Sequence, residues 1–281
     1  MTTPLAEKLA SLSGYGPTSS VAQAQYRLDL IAKWPIGHGA RVLELGCGQG
    51  DTTLALAEAV GATGHVDAVD PARLDYGSPT TLGEAQNTIS TGPLGPRIAW
   101  IQSEPLKYLK TNPLAQWDVV VLAHSLWYFD SPELILETLR FLASRTQKVC
   151  IAEWSLSGIN ATTHILSALT QAAMECRKPE SESNIRTMVA PTRIKELAAQ
   201  AGLKLVEEAL VTPGNGVHDG IWETQLTLGA EFAREVEEFV KDNREKAVIL
   251  AMRDAVQASM DKIGGIKAVE TMDGWVGVFT V

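Results

Sequence analysis

The chain has 281 residues, 45% of them hydrophobic, which is enough for one sizeable core, and its 33 acidic residues outnumber 24 basic ones for a net charge of −9. This balance, without a dense Lys/Arg run, argues against a nucleic-acid binder. No apolar run approaches the length of a membrane-spanning helix, and the N-terminus lacks a charged-then-apolar leader. Cys47, Cys150 and Cys176 are odd in number and lack metal-ligand spacing, so the expected setting is the reducing cytoplasm, with no metal and no membrane partner.

Two helical patterns flank a GYGPTSS turn in the first forty residues, and Val21, Tyr26, Leu28, Leu30 and Ile31 approximate one apolar face of the second. Either this segment packs over a ligand cleft, with Tyr15 placed to reach it, or it covers the sheet edge. The stretch RVLELGCGQGDTT follows: Val42, Leu43 and Leu45 make a short strand, Gly46, Gly48 and Gly50 a turn, and TTLALAEAV a helix. A glycine turn leading into a helix N-terminus offers close backbone approach and unpaired N–H groups. The spacing is G-x-G-x-G rather than the dinucleotide pattern G-x-G-x-x-G, and Glu44 precedes it. A carboxylate there disfavours a pyrophosphate and suits a cation such as the sulfonium and ammonium groups of S-adenosylmethionine. Glu44-Leu45-Gly46-Cys47-Gly48-Gln49-Gly50 resembles the first motif, E/D-x-G-x-G-x-G, of the class I S-adenosylmethionine-dependent methyltransferases. The likeness runs from roughly Ala40 to Ile151 and more loosely to the C-terminus. It implies cofactor contacts at Glu44, Gly46, Cys47, Gly48, Gln49 and Gly50, although Cys47 also reads as a small space-filling side chain.

GHVDAVDP reads as the second strand, ending at Asp70 before Pro71. A parallel strand beside the glycine turn puts its last residue on the other wall of the crevice. In the resembled family an acidic residue here accepts the ribose hydroxyls, so Asp70 and Pro71 join the cofactor set. The words DYGSP and TLGEAQ further resemble fungal methyltransferases of small molecules. RIAWIQ is the third strand, and the family places a polar residue after it near the adenine, here Ser103 or Glu104. WDVVVLAHSLWYF carries the fourth strand, whose continuous apolar run fits burial on both faces. His124 and Ser125 leave its end toward the methionine part of the cofactor. His124 is either a general base or a hydrogen-bonding group that moves no proton. Trp127 and Tyr128 either stack on substrate or wall the pocket.

SPELILETLRFLASRTQ opens with an N-cap and first-turn proline, and KVCIAEW is the fifth strand, with Glu153 and Trp154 at its carboxyl edge on the substrate side. His164 on the following helix and Arg186 after it lie in a region where insertions shape acceptor specificity in the resembled family, and both are substrate-site candidates. PTRIKELAAQAGLKLVEE gives a helix, a stop at Gly202 and a sixth strand, and GWVGVFTV the last one. Between them the HDGIW turn, with His218, Asp219 and Trp222, either closes over substrate or starts a helical insert. From Ala230 to Ile263, Phe232, Val236, Phe239 and Val240 lie on one face, with Val248, Ala251, Ala255, Met260 and Ile263 continuing it. Straight, this segment spans about 50 Å, so a break near Asp242-Asn243 or a homodimer contact is expected.

The expected fold is a Rossmann-like α/β three-layer sandwich with a seven-stranded, mostly parallel sheet in the order 3-2-1-4-5-7-6. One methyltransferase domain over 1–281 is expected, with an N-terminal helical cap over 1–39, a cofactor core over 40–155 and substrate-side helical insertions over 156–190 and 214–270. The implied reaction is metal-independent methylation of O, N or S on a small acceptor, plausibly a secondary metabolite. The resemblance fits equally a protein that keeps the cofactor site without moving a methyl group, and a nicotinamide enzyme is disfavoured by the glycine spacing.

Overall fold

The computed structural model describes residues 2–14, 21–181 and 183–281, so the Tyr15 expectation lies outside the described residues. Seven strands form one sheet: β1 (Arg41–Leu45), β2 (His65–Asp70), β3 (Ile98–Gln102), β4 (Val119–Ala123), β5 (Lys148–Trp154), β6 (Lys204–Val211) and β7 (Gly274–Thr280). Their order is β3-β2-β1-β4-β5-β7-β6, as expected. All pairings are parallel except those of β7, which runs antiparallel to β5 and β6. The central strands are apolar and β-branched because both of their faces are covered: β4 is buried at every position. β6 forms an edge and exposes Glu207 and Glu208, a charged border that discourages further strand pairing.

The helices are α1 (Pro4–Leu12), α2 (Val21–Ile31), α3 (Asp51–Ala59), α4 (Leu82–Thr91), α5 (Pro105–Thr111), α6 (Pro132–Ala143), α7 (Thr162–Glu175), α8 (Pro191–Gln200), α9 (Asp219–Leu228), α10 (Ala230–Phe239) and α11 (Asn243–Lys262). α1, α2 and α3 pack on one another, and α5 and α8 both pack on α6, giving the helical layers of the sandwich. Local signals set several starts. Thr81 and Glu84 close a capping box on α4, and the Ser131 hydroxyl accepts the Leu134 N–H ahead of α6. α7, α9 and α11 form a further packed group. Part of its interior is polar, with Ser167 and Thr224 hydroxyls 3.0 Å apart and Thr163 and Ser259 hydroxyls 2.8 Å apart.

The HDGIW stretch is the start of α9 rather than a free turn, with His218 at the N-cap. The long late segment does break, between Phe239 and Asn243, where the Asp242 carboxylate accepts the Arg244 and Glu245 N–H groups at 2.9 and 3.0 Å. Phe232, Val236, Val240 and Ile249 then pack on Met174 of α7, within the same chain. Beyond the break the expected face is wrong. Ile249 and Val256 are the buried residues of α11, while Val248, Ala251 and Ala255 are exposed. The interruption resets the helical phase, so a stripe read through it lands on the wrong side.

Replacing Asp242 by Ala leaves two first-turn donors without their cap and should cost about 1 kcal/mol. The urea midpoint of the variant should fall accordingly, and an unchanged midpoint would show that α11 is held by packing alone.

Candidate active site

The glycine turn is built by close approach. Gly46 and Cys47 donate their N–H groups to the Val69 carbonyl at 2.8 and 3.2 Å, tying the turn to the end of β2. Gly46 has φ +83°, and a Cβ there would lie 2.4 Å from Cβ of Ser125. The turn therefore rests directly on the residue that follows His124, and only glycine fits. Gly48, by contrast, has nothing within 4 Å of a would-be Cβ, so the turn is open at its crest. Its N–H donates to Oδ2 of Asp70 at 2.8 Å, and Ala72 N–H donates to Oδ1 at 2.9 Å. Pro71 has no N–H, so the next residue supplies that bond.

Beside Asp70 lies a cleft of about 140 Å³ lined by Leu74, Leu82, Gln86, Trp100, Ile101 and Gln102. Gln86 reaches back to the Gly48 carbonyl at 2.9 Å, and the Gln49 side chain donates to the Thr80 carbonyl at 2.5 Å. Trp100 is held by its Nε1–H on the Ser90 hydroxyl at 2.9 Å. A ring-shaped ligand with hydroxyls directed at Asp70 fits this arrangement of an apolar slot and a pinned carboxylate. Ser103 and Glu104 stand just past it: Ser103 N–H donates to the Asp70 carbonyl at 3.0 Å, and Glu104 precedes α5. β3 lines the cleft with Trp100, Ile101 and Gln102 instead. In the sequence Trp100 reads only as a residue of the third strand, and its indole N–H is the one signal that it meets a polar boundary.

Glu44 differs from its expected placement. Its carboxyl is buried beneath the turn, where Oε2 accepts the Thr53 hydroxyl at 2.6 Å. Burial raises its pKa from 4.5 to about 8, against the opposing effects of Thr53 and Arg27. The strand is covered on both faces, and α3 brings Thr53 back over it. Burial also pushes up the Cys47 thiol, which acts as a space-filling side chain.

Beyond the glycine turn, His124 leaves β4 in a left-handed conformation, φ +51°. Its Nε2 lies 3.0 Å from the Tyr26 hydroxyl and its Nδ1 3.4 Å from Oε1 of Glu153. That second contact is not aligned as a full hydrogen bond. Burial lowers the His124 pKa below its ordinary value, partly countered by Glu153. Glu153 is itself held by the N–H groups of Leu126 and Trp154, at 3.1 and 3.0 Å. The Trp154 ring lies 4.1 Å from that of His124, stacks on Tyr26 at 5.8 Å and meets His164 edge-on at 5.6 Å. His164 Nδ1 accepts the Met272 N–H at 3.0 Å, and burial pushes its pKa down to about 4, so the ring is neutral. Asp219 on α9 takes a hydrogen bond from Gln23 at 2.9 Å, joining α9 to α2.

His124, Ser125, Trp154 and His164 thus converge, while two other expected residues do not join them. Trp127 is buried with its Nε1–H on the Val189 carbonyl at 3.0 Å, a wall of the core. Trp222 is half exposed and sits edge-on to His218. Tyr128 is exposed. Tyr26 is the group that the expected site leaves out. Tyr26 reads as one more apolar position on a helix face.

For Glu44 the sign of the pH effect is fixed. Its folded pKa of about 8 lies above the ordinary 4.5, so between those values the folded state holds a proton that the unfolded chain releases. Its contribution to stability falls as pH rises across that window. Glu44→Gln should therefore gain on wild type from pH 5 to pH 9 in urea unfolding, by on the order of a few kcal/mol. A constant difference between the two proteins would contradict the burial account.

Residues 5–208 match the model of a methyltransferase domain. The chain is 28% identical over 277 residues to the methyltransferase phomM of Diaporthe leptostromiformis, covering 83% of this chain and 71% of that one. It is similar to the crystal structure of a cyclopropane-fatty-acyl-phospholipid synthase-like protein from Lactobacillus casei, with 28% identity, 98% of each chain covered and a TM-score of 0.85. Coclaurine N-methyltransferase shares the fold alone, at 13% identity and a TM-score of 0.51 over 99% of this chain and 79% of that one. With the glycine turn, Asp70 and the sheet order in place, the chain belongs to the methyltransferase-domain family and is an S-adenosylmethionine-dependent methyltransferase.

Proposed function

We propose that this enzyme methylates an O, N or S atom of a small, partly apolar molecule of secondary metabolism, in the cytoplasm and without a metal. The observation that carries this reading is the adjoining of two sites: Gly46 of the cofactor turn touches Ser125, and His124 beside it opens the aromatic group of Trp154, Tyr26 and His164. The turn from Gly46 to Gly50 would hold the methionine part of the cofactor, Asp70 the ribose hydroxyls, and the Trp100–Gln86 cleft the adenine. These residues fit the group, because the crest at Gly48 is open and Asp70 is aimed by two backbone bonds.

When bound, S-adenosylmethionine supplies an electrophilic methyl group on a good leaving group. The protein's main task is then to hold the acceptor in line, and such positioning is worth on the order of 7–11 kcal/mol. Aromatic walls at Trp154 and Tyr26 suit an acceptor with apolar surface. His124, buried next to Glu153, is the destination of the proton that the acceptor loses. His124 and Ser125 occupy the end of β4, where metal-dependent catechol methyltransferases carry paired metal-binding side chains.

Incubation with methyl-labelled S-adenosylmethionine and a metabolite extract should yield a labelled product heavier by one methyl group, and fragmentation names the atom. Cofactor binding without any labelled product would favour a non-methylating role for the fold. His124→Ala should lower turnover by about 100-fold or more with little change in cofactor affinity. An undiminished rate would remove His124 from the chemistry.

A further inference from the structure

Resting on the cofactor's placement at the turn from Gly46 to Gly50, we propose that Tyr76 and Asn184 form a latch over it. These two side chains part each time the cofactor enters or leaves. The Tyr76 hydroxyl donates to Oδ1 of Asn184 at 3.3 Å, and both residues are exposed. Tyr76 stands on the loop that follows β2. Asn184 belongs to a segment tied to the exit of β4, where the Arg186 and Thr187 N–H groups donate to the Trp127 carbonyl at 2.8 and 3.0 Å.

β1 lies between β2 and β4 in the sheet. Strands two apart are separated by about 10 Å, a gap that a tyrosine and an asparagine meeting end to end can span. The bond therefore crosses the carboxyl end of β1, where the chain makes its glycine turn. Tyr128, which follows β4, lies within electrostatic reach of the Tyr76 hydroxyl, as this crossing requires. Glu104, just past β3, lies within reach of Asp70 and also of Asp130 and Arg186, so the same segment borders the crevice from its far side.

The backbone is held at both ends of the bond. At the start of α4, the Leu82 and Gly83 N–H groups donate to the Tyr76 and Leu74 carbonyls at 2.8 and 2.9 Å. Opposite, Ile185 is buried next to Asn184, and Arg186 pairs with Asp130 at 3.0 Å. The exposed side chains are the part that moves, and such side chains change rotamer within nanoseconds. From the loop after β2, Ala72 and Leu74 line the cleft beside Asp70, whereas Tyr76 does not. A bond that the cofactor does not touch has no preference between the free and occupied protein, so it leaves the binding equilibrium alone. It governs the rates. Removing it speeds entry and exit together.

The test needs no acceptor. Rapid filtration of tritiated S-adenosylmethionine, chased with unlabelled cofactor, measures exit. Stopped-flow tryptophan fluorescence measures entry, since Trp100 lines the cleft. Tyr76→Phe and Asn184→Ala should each raise both rates by about threefold to tenfold, the range that one neutral hydrogen bond supplies. The dissociation constant should stay within about twofold of wild type. The double variant should be no faster than the faster single one, because both changes break the same bond. Unchanged rates in the two single variants would overturn the latch. A rise in exit alone would also overturn it, because that marks a direct contact with the cofactor. If Asp70→Ala binds the cofactor as tightly as wild type does, the placement at the turn fails, and the latch with it.

Discussion

The Asp70 carboxylate is the contact on which the site depends. One oxygen takes the N–H at the crest of the glycine turn and the other takes the N–H of Ala72, so the turn after β1 and the loop after β2 are locked to one side chain. Charge-assisted bonds of this kind are stronger than neutral ones and fix direction. Each oxygen keeps a lone pair, so the group that assembles the crevice can also receive a ligand there. Gly46 adds a third strand end by lying against Ser125. The crevice thus forms outside the carboxyl ends of β1, β2 and β4, where strand order reverses and open α/β sheets place their ligands.

Burial governs the charge of the surrounding groups. Glu44 sits under the turn with a pKa raised to about 8, and His164 is pushed down to about 4, so both favour neutral forms near pH 7. At the end of β5, Glu153 is held by two backbone amides and faces the His124 ring at 3.4 Å. The two halves are separate in chemistry and joined mechanically at the Gly46–Ser125 contact.

Much of this was legible in the sequence for specific reasons. Continuous β-branched runs such as Val119–Leu122 mark strands covered on both faces, and the glycine spacing after Leu45 separates this turn from a dinucleotide turn. Asp70 was legible because a strand end before proline leaves little doubt about where the chain turns. Less legible were features set by tertiary approach. The Glu44 side chain could not be aimed without knowing that Thr53 folds back over it. Tyr26 falls in an apolar helical pattern, and nothing local shows that its hydroxyl meets His124, 98 positions away. The cleft beside Asp70 is lined by Trp100 and Gln102 rather than by the next residues, a matter of strand pleat that no motif records. The phase of α11 was lost at the break before it.

The pinned carboxylate is best tested by titration calorimetry of S-adenosylmethionine into wild-type protein and Asp70→Ala, with circular dichroism confirming that both are folded. Two hydroxyl bonds to a charged acceptor predict saturable one-to-one binding by wild type and a loss of about tenfold to a hundredfold in the variant. Equal affinity in the two proteins would contradict the account, because the donor would then sit somewhere other than the crevice that Asp70 assembles.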